Sequence, residues 1–320
     1  MGDGRTLLLL GAGGFAGRHV GAAAEEAGFE VVRASRDGGG ADLACDLLDP
    51  ASIRAALETA RPAHVANLAG SSSVAASWRD PEATFAVNAT GVESLLEAVA
   101  AAAPGAHVLC VSSAQVYGTP AAETLPLREE APADPVTPYG ESKVAMESVC
   151  ARFAREGSLR VAVLRPFNLV GPGQAAEFSA SGFARAIAAA EARGEEEAEL
   201  AVGNPAAARD FVDVRDAAVA FAAVAERELT GTFNLCSGRP TGLREMIREM
   251  AEATPLPVRI EDAPDLRRPA DPPISYGSPD RLRAATGWSA TTPLARTVAD
   301  LIDWWRATLD QGGAGPTRPR

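Results

Sequence analysis

The segment TPYGESKVAMESV sets Tyr139 and Lys143 four residues apart in a run with helical spacing. Residues at that separation on a helix share a face. A free tyrosine loses its proton near pH ~10, too high for efficient exchange at neutral pH. A neighbouring ammonium favours the phenolate, and a drop of about 3 in pKa corresponds to roughly 4 kcal/mol of differential interaction. The pair is therefore a candidate general acid/base for interconverting a hydroxyl and a ketone. A Tyr-x-x-x-Lys spacing is also common by chance, with a surface helix and a satisfied tyrosine as the alternative. The stretch VSSAQVYG, Val111 to Gly118, adds a second element. It runs an apolar strand into Ser113, whose hydroxyl can hydrogen-bond the oxygen that Tyr139 protonates.

The segment LLLLGAGGFAGRHV places Gly11, Gly14 and Gly17 directly after an apolar run and at the opening of a helical one, with Phe15 and Ala16 between. Glycines there allow a tight turn, so a pyrophosphate can rest against free N–H groups at the positive end of a helix. The spacing is GxxGxxG rather than GxGxxG, and a purely structural turn is the alternative. An NAD site usually carries an acid at the end of the second strand to accept from the ribose 2′-OH. In GFEVVRASRDGG that position falls at Ser35, followed by Arg36 and with Arg33 close by. A 2′-phosphate is attracted by a guanidinium and repelled by a carboxylate, so NADP(H) is preferred. NAD(H) stays possible, with Arg33 and Arg36 as surface charges and Asp37 as the acid. Asp46 and Leu47, in ACDLLD, fall near the adenine edge.

These residues meet only if strands and helices alternate in a fixed order. TLLLL (Thr6 to Leu10), EVVRA (Glu30 to Ala34), HVANLA (His64 to Ala69), HVLCVSS (His107 to Ser113) and RVAVLRP (Arg160 to Pro166) read as buried parallel strands. Between them FAGRHVGAAAEEAG, SIRAALETA and PEATFAVNATGVESLLEAVAAAA carry helical periodicity. Repeated β-α units predict an α/β fold, a Rossmann doubly wound parallel sheet over residues 1–166. After Pro166 the pattern loosens into short strands, loops and helices. A smaller mixed α/β C-terminal lobe is predicted over 167–309, with some chain returning to the first unit, and a frayed tail over 310–320.

Together, the glycine opening, Ser113, Tyr139 and Lys143 resemble the extended short-chain dehydrogenase/reductase family, the NAD-dependent epimerase/dehydratases, over nearly the whole chain. The resemblance implies a Ser-Tyr-Lys triad at Ser113, Tyr139 and Lys143, NAD(P) in the Rossmann part and a nucleotide sugar in the C-terminal lobe. It extends the cofactor set to Leu68, Ala69, Gly70, Asn88, Ser112 and Pro166, beside Tyr139 and Lys143 themselves. Leu10 and Asn67 depart from the family pattern, which often has threonine before the first glycine and histidine before the Leu-Ala pair.

The second half narrows the resemblance. LRPFNLVGPGQ, ARDFVDVRDAAVAF, GTFNLCSG and RRPADPPISYGSPDRLRAATGW look, in order and spacing, like GDP-4-keto-6-deoxy-mannose reductases and GDP-mannose 4,6-dehydratases. By this resemblance Asn168 touches the sugar diphosphate, Arg209 and Arg268 neutralise phosphates with Asp271 alongside, and Phe183 and Arg185 line the base pocket. Ion pairing of the arginines with Asp210, Asp213 or Asp271, and a core role for Phe183, are the alternatives.

Gln115 bears on the reaction. A 4,6-dehydratase must remove the C5 proton and expel the C6 hydroxyl, and dehydratases of this family carry a carboxylate two residues after the triad Ser or Thr. That position is 115 here, and an amide cannot exchange a proton near neutral pH. Reduction of a C4 ketone is therefore the expected reaction, GDP-4-keto-6-deoxy-D-mannose giving GDP-D-rhamnose, with Gln115 at the sugar or ordering its loop. A 4-epimerase with tightly bound NAD is the rival, ahead of a dehydratase or a non-catalytic NADP-binding protein.

Composition excludes other classes. A net charge of -12 in 320 residues argues against nucleic acid and anionic membrane as partners. Four leucines before the first glycines are too few for a signal peptide or membrane span, so a cytoplasmic protein is expected. Cys45, Cys110, Cys150 and Cys236 are scattered without a CxxC pair, so buried thiols are expected and no metal site is indicated. Small apolar faces on VESLLEAVAAAA and GESKVAMESVCARFA predict a homodimer.

Overall fold

A computed structural model describes residues 5–266 and 272–312. The first elements are β1 (Thr6–Leu10), α1 (Phe15–Glu26), β2 (Glu30–Ser35), β3 (Leu43–Ala44), α2 (Pro50–Ala60), β4 (His64–Asn67), α3 (Val74–Arg79) and α4 (Pro81–Phe85). Then come α5 (Gly91–Ala102), β5 (His107–Val111), α6 (Pro138–Arg155), β6 (Arg160–Pro166), β7 (Asn168–Val170), α7 (Ser179–Arg193), β8 (Ala198–Val202) and β9 (Ala208–Asp213). The chain ends with α8 (Val214–Glu226), β10 (Gly231–Leu235), β11 (Pro240–Gly242), α9 (Leu243–Glu252), β12 (Val258–Asp262), β13 (Ile274–Ser275), α10 (Asp280–Thr286) and α11 (Leu294–Asp310).

Seven strands form one parallel sheet in the order β10-β6-β5-β4-β1-β2-β3. The order reverses direction at β1, so a crevice opens beyond the carboxyl ends of β1 and β4. The four leucines of β1 show why this strand sits at the centre. Leu8 and Leu10 face a core with Val65, Leu95 and Val108, while Leu7 and Leu9 face the opposite core with Phe221 and Leu164. Each fully buried leucine contributes about 1.5–3 kcal/mol relative to exposure.

The opposite core is closed by chain from beyond residue 166. Helix α8 packs on α1, and β10 adds to the sheet edge through Gly231↔Ala162 to Leu235↔Pro166. The remaining C-terminal elements build a third core around α7, α9 and α11, in which Trp305 is fully buried. There β9 is flanked by β11, β13 and β7, and β8 pairs with β12.

Three sequence expectations are adjusted. Strand β4 stops at Asn67 rather than Ala69, because the Asn67 carboxamide accepts the Ala69 N–H at 3.1 Å and turns the chain out of the sheet. Strand β5 stops at Val111 rather than Ser113. The single helix read over PEATFAVNATGVESLLEAVAAAA is interrupted by a π-helical turn, Ala86–Thr90, built around buried Asn88. Residue 313 onward, most of the expected tail, lies outside the described residues. Among the described residues no helix is long and apolar enough to cross a membrane.

Candidate active site

At the end of β1 the chain turns so tightly that only glycine fits. Gly11 has φ +76°, and a Cβ there would stand 2.7 Å from Ala69 N and 2.8 Å from Leu68 C. A Cβ on Gly17 would lie 2.1 Å from Gly11 O, so α1 presses its first turn onto the loop. Gly14 occupies the N-cap of α1 and brings no side chain to its N–H groups. The opening of α1, with Phe15 and Ala16, is left as an anion cradle bounded by Leu68, Ala69 and Gly70. This geometry fits a dinucleotide pyrophosphate.

The end of β2 sorts its three candidates. Arg33 turns onto α1, pairing with Glu25 at 2.8 Å, while its N–H donates to Asp42 Oδ2 at 2.8 Å. Ser35 and Arg36 lie at the carboxyl end of β2, where a ribose would lie, with the Ser35 hydroxyl donating to Asp37 Oδ1 at 3.5 Å. Asp37 accepts from Gly39 N at 3.2 Å, and that bond holds its carboxyl below the ordinary value. Further along, Asp46 accepts from Leu48 N at 2.9 Å, and Leu47 is buried with its Cβ 2.9 Å from the position of a Cβ on Gly91.

The three candidates for a triad lie on α6 and just beyond the end of β5. Thr137 caps α6 by accepting Gly140 N at 3.0 Å, and Pro138 supplies the fixed φ of the first turn. Tyr139 follows, and Lys143 comes one turn later. A Cβ on Gly140 would lie 2.7 Å from Gln115 O, so glycine lets the 114–117 turn rest directly on α6. Ser113 caps that turn, its Oγ accepting Gln115 N at 3.2 Å, which leaves the hydroxyl proton to donate. Gln115 itself is exposed.

Lys143 is buried, with Nζ donating to Val111 O at 2.8 Å and lying 5.8 Å from the centre of the Tyr139 ring. Burial pulls its ammonium down to about 8, opposed in part by the Cys110 and Cys150 thiols and, less, by Glu147. It is the single lysine in 320 residues, and the other basic residues are arginines. Arginine stays protonated at any relevant pH, whereas a buried lysine tunes.

Three other residues predicted at the cofactor make contacts within the scaffold. Asn88 donates to Ser71 O at 2.9 Å and Ser142 Oγ at 3.0 Å and accepts Ser71 N at 2.8 Å, tying the loop after β4 to α6. Ser112 spends its hydroxyl on Glu147 Oε1 at 2.5 Å. Pro166 ends β6 in the sheet. Sequence reasoning missed Glu147 and its partner Arg165, paired at 2.6 and 2.9 Å. Their signal was present: Glu147 continues the Tyr139, Lys143 spacing, and Arg165 is a charge inside an apolar strand.

In the C-terminal lobe Asn168 donates its amide to Asp210 O at 3.0 Å, and Arg209 donates from Nη1 to Ala208 O at 2.7 Å. Of the acids considered as partners for Arg209, Asp210 is buried and accepts from Ser237 N and Oγ, Gly238 N and Gly277 N. Asp213 is held by Arg215 and Thr297. Phe183 does not stand free to line a base pocket: the apolar stripe of α7 faces α11, and Phe183 is buried in that core. Arg185, expected beside the base, lies over the Trp305 indole at 5.7 Å. Arg268 and Asp271 lie outside the described residues. No group of three or more His, Cys, Asp or Glu that could hold a metal occurs among the described residues, and all four cysteines are buried thiols.

A parallel sheet with a glycine cradle at its switch point, and a buried Tyr-Lys pair beside a serine at the end of β5, define a dinucleotide-dependent oxidoreductase. The profile of the NAD dependent epimerase/dehydratase family matches residues 7–236, and the chain belongs to that family. It is 33% identical over 308 residues to GDP-6-deoxy-D-mannose reductase of Pseudomonas aeruginosa, covering 95% of this chain and 98% of that one. The structure of RMD from Pseudomonas aeruginosa complexed with NADPH superposes with a TM-score of 0.84 at 32% identity, over 95% of this chain and 98% of that one. UDP-glucose 4-epimerase from Thermus thermophilus in complex with NAD gives a TM-score of 0.83 at 28% identity, over 94% of this chain and 99% of that one. The protein is an NAD(P)-dependent enzyme of nucleotide-sugar modification.

Proposed function

We propose that the protein reduces the C4 ketone of a nucleotide-linked 4-keto-6-deoxyhexose with NADPH, converting GDP-4-keto-6-deoxy-D-mannose to GDP-D-rhamnose. The observation that carries the reading is Gln115, an amide next to an otherwise complete Ser113, Tyr139 and Lys143 site. Reduction needs one proton donor, and the site has one. Dehydration needs a second acid/base group, and the residue at the expected position lacks a titratable proton.

When bound, NADPH supplies the hydride that reaches C4. Gly11, Gly14 and Gly17 would receive its pyrophosphate, and Ser35 with Arg36 its 2′-phosphate, because a guanidinium directly follows β2. Ser113 donates to the ketone oxygen and stabilises the developing alkoxide. Tyr139 gives that oxygen its proton. Lys143 holds the nicotinamide ribose and, as a cation close to the Tyr139 ring, makes the phenolate a stable product of that transfer. Asn168, Arg209 and Arg268 would take the sugar diphosphate in a chain that is acidic elsewhere. The reading places the enzyme in the cytoplasm as a homodimer through α5 and α6.

Incubating the protein with NADPH and GDP-4-keto-6-deoxy-D-mannose, and identifying the product sugar, tests the assignment. Loss of NADPH no faster than with Tyr139→Phe sinks it. Stoichiometric NAD copurifying with the protein, and conversion of a nucleotide sugar without added cofactor, would point to a 4-epimerase. A single-subunit mass in sedimentation at micromolar concentration would remove the dimer.

A further inference from the structure

A buried ion pair stands next to the site, and neither of its residues belongs to the triad. The Arg165 and Glu147 side chains are 9% and 14% exposed and meet through two bonds, Nη2 to Oε2 at 2.6 Å and Nε to Oε1 at 2.9 Å. Apolar side chains of equal volume commonly give as much stability as a buried ion pair, so the pair calls for another reason to exist. Its contacts supply one. Ser112 Oγ donates to Glu147 Oε1 at 2.5 Å, and Lys143 Nζ, one turn earlier on α6, donates to Val111 O at 2.8 Å. Two consecutive residues at the end of β5 are thus pinned by two consecutive turns of α6, and the next residue is Ser113. On the far side Arg165 Nη1 donates to Tyr117 Oη at 2.8 Å, and Tyr117 Oη donates to Asn234 Oδ1 at 2.7 Å. Tyr117 closes the turn that carries Gln115.

We propose that Glu147, held by Arg165, is a positioning residue that fixes Ser113 against Tyr139 and sets the charge balance at Lys143. The proposal rests on the reading of Ser113, Tyr139 and Lys143 as the reducing site. Glu147 grips the backbone on one side of the Ser113–Gln115 turn through Ser112, and Arg165 grips the other through Tyr117. Glu147 also follows Lys143 by one turn on the same face of α6 and is a carboxylate among the groups that act on it, beside the Cys110 thiol from β5 and the Cys150 thiol and Tyr139 from α6 itself.

Three variants test this: Ser112→Ala, Glu147→Gln, and Glu147→Gln combined with Arg165→Met. Misplacing Ser113 lowers kcat by roughly 10–100-fold with little change in KM in all three. The neutral double variant restores the thermal stability that Glu147→Gln loses without restoring kcat, whereas a purely structural pair would restore both. Removing a negative charge makes proton loss from the Lys143–Tyr139 pair easier, so the alkaline limb of kcat moves to lower pH in Glu147→Gln and stays in place in Ser112→Ala. Lys143 being the single lysine, ¹³C-lysine labelling gives one side-chain titration, read without cofactor or substrate. Its midpoint falls in Glu147→Gln and holds in Ser112→Ala. If the wild type reduces no 4-keto sugar yet this titration moves as stated, the reductase reading fails while the charge role stands. Wild-type kcat in Ser112→Ala, recovery of kcat in the double variant, or an unmoved Lys143 titration in Glu147→Gln overturns the proposal.

Discussion

Replacing Lys143 with methionine should stabilise the cofactor-free protein while abolishing its activity. Burial brings the Lys143 ammonium to about 8 from an ordinary 10.5, and at about 1.36 kcal/mol per pH unit the difference is worth about 3 kcal/mol. Below pH 8 both the folded and the unfolded chain carry the proton, and the fold bears the full cost of burying it. As pH rises from about 8 to 10.5 the folded chain releases the proton before the unfolded chain does, so the unfolded state binds more protons and stability rises with pH. Methionine removes that cost at neutral pH but leaves Val111 O without its donor, a loss of about 1–2 kcal/mol, so a net gain of about 1–2 kcal/mol is expected at pH 7. Urea unfolding of both proteins from pH 7 to pH 10.5 reads the effect. Every other titrating group is common to the two, so the difference between the curves isolates Lys143: the methionine variant starts ahead and loses its lead as pH rises. The same variant should lose about 10²–10⁴-fold in kcat/KM, the usual scale of a lost acid/base function. Parallel stability curves would show that Lys143 is not held against its charge, and would remove the physical basis for its tuning Tyr139.

Other substitutions separate the parts of the site. Gly17→Ala sets a Cβ 2.1 Å from Gly11 O, so the cradle must open; stability should fall by about 1–3 kcal/mol and NADPH fluorescence titration should show weakened binding. Arg36→Ala should weaken NADPH by about 10–100-fold and leave NADH unchanged, because a charge-assisted bond to a phosphate is worth about 1.5–3 kcal/mol. Arg33→Ala, whose guanidinium serves an exposed pair with Glu25, should alter NADPH binding less than about twofold. Gln115→Glu should not yield a 4-keto product from GDP-mannose and NADP when the reaction is followed by mass, because dehydration also requires C5 and C6 to be placed against the new acid.

What could be read from the sequence followed from local physics. The unbroken apolar run of β1, the glycine spacing behind it and the helical spacing of Tyr139 and Lys143 each depend on neighbours within a few residues. The structure places each in the element expected. The limits of β4 and the π-helical turn at Ala86–Thr90 were not legible in the same way, because each is set by an asparagine side chain choosing a backbone partner. Asn67 closes on Ala69 N just ahead, while Asn88 reaches 17 residues back to Ser71 and 54 residues on to Ser142. No periodicity announces a choice of that kind.

In the C-terminal lobe the direction of the candidate side chains depends on chain far away in sequence, unlike that of Tyr139 and Lys143. Phe183 and Arg185 sit on one helix, and the sequence left a base pocket and, for Phe183, the core as alternatives. Their direction is decided by α11, more than a hundred residues later, whose Trp305 takes the face of α7 and draws the Arg185 guanidinium over its ring while donating its own N–H to Ser181 Oγ at 2.9 Å. Arg165 is the converse case. Read as part of an apolar strand it looked like an ordinary strand residue, yet it joins Glu147, Tyr117 and the Glu129 carbonyl into one buried assembly. Burial works against its charge, and the Glu147 bonds outweigh that and keep the guanidinium ionised. A charge inside an apolar run that folds is therefore a signal in its own right. It requires a carboxylate somewhere in the chain to meet it, and here that carboxylate lies one helical turn beyond the lysine of the site.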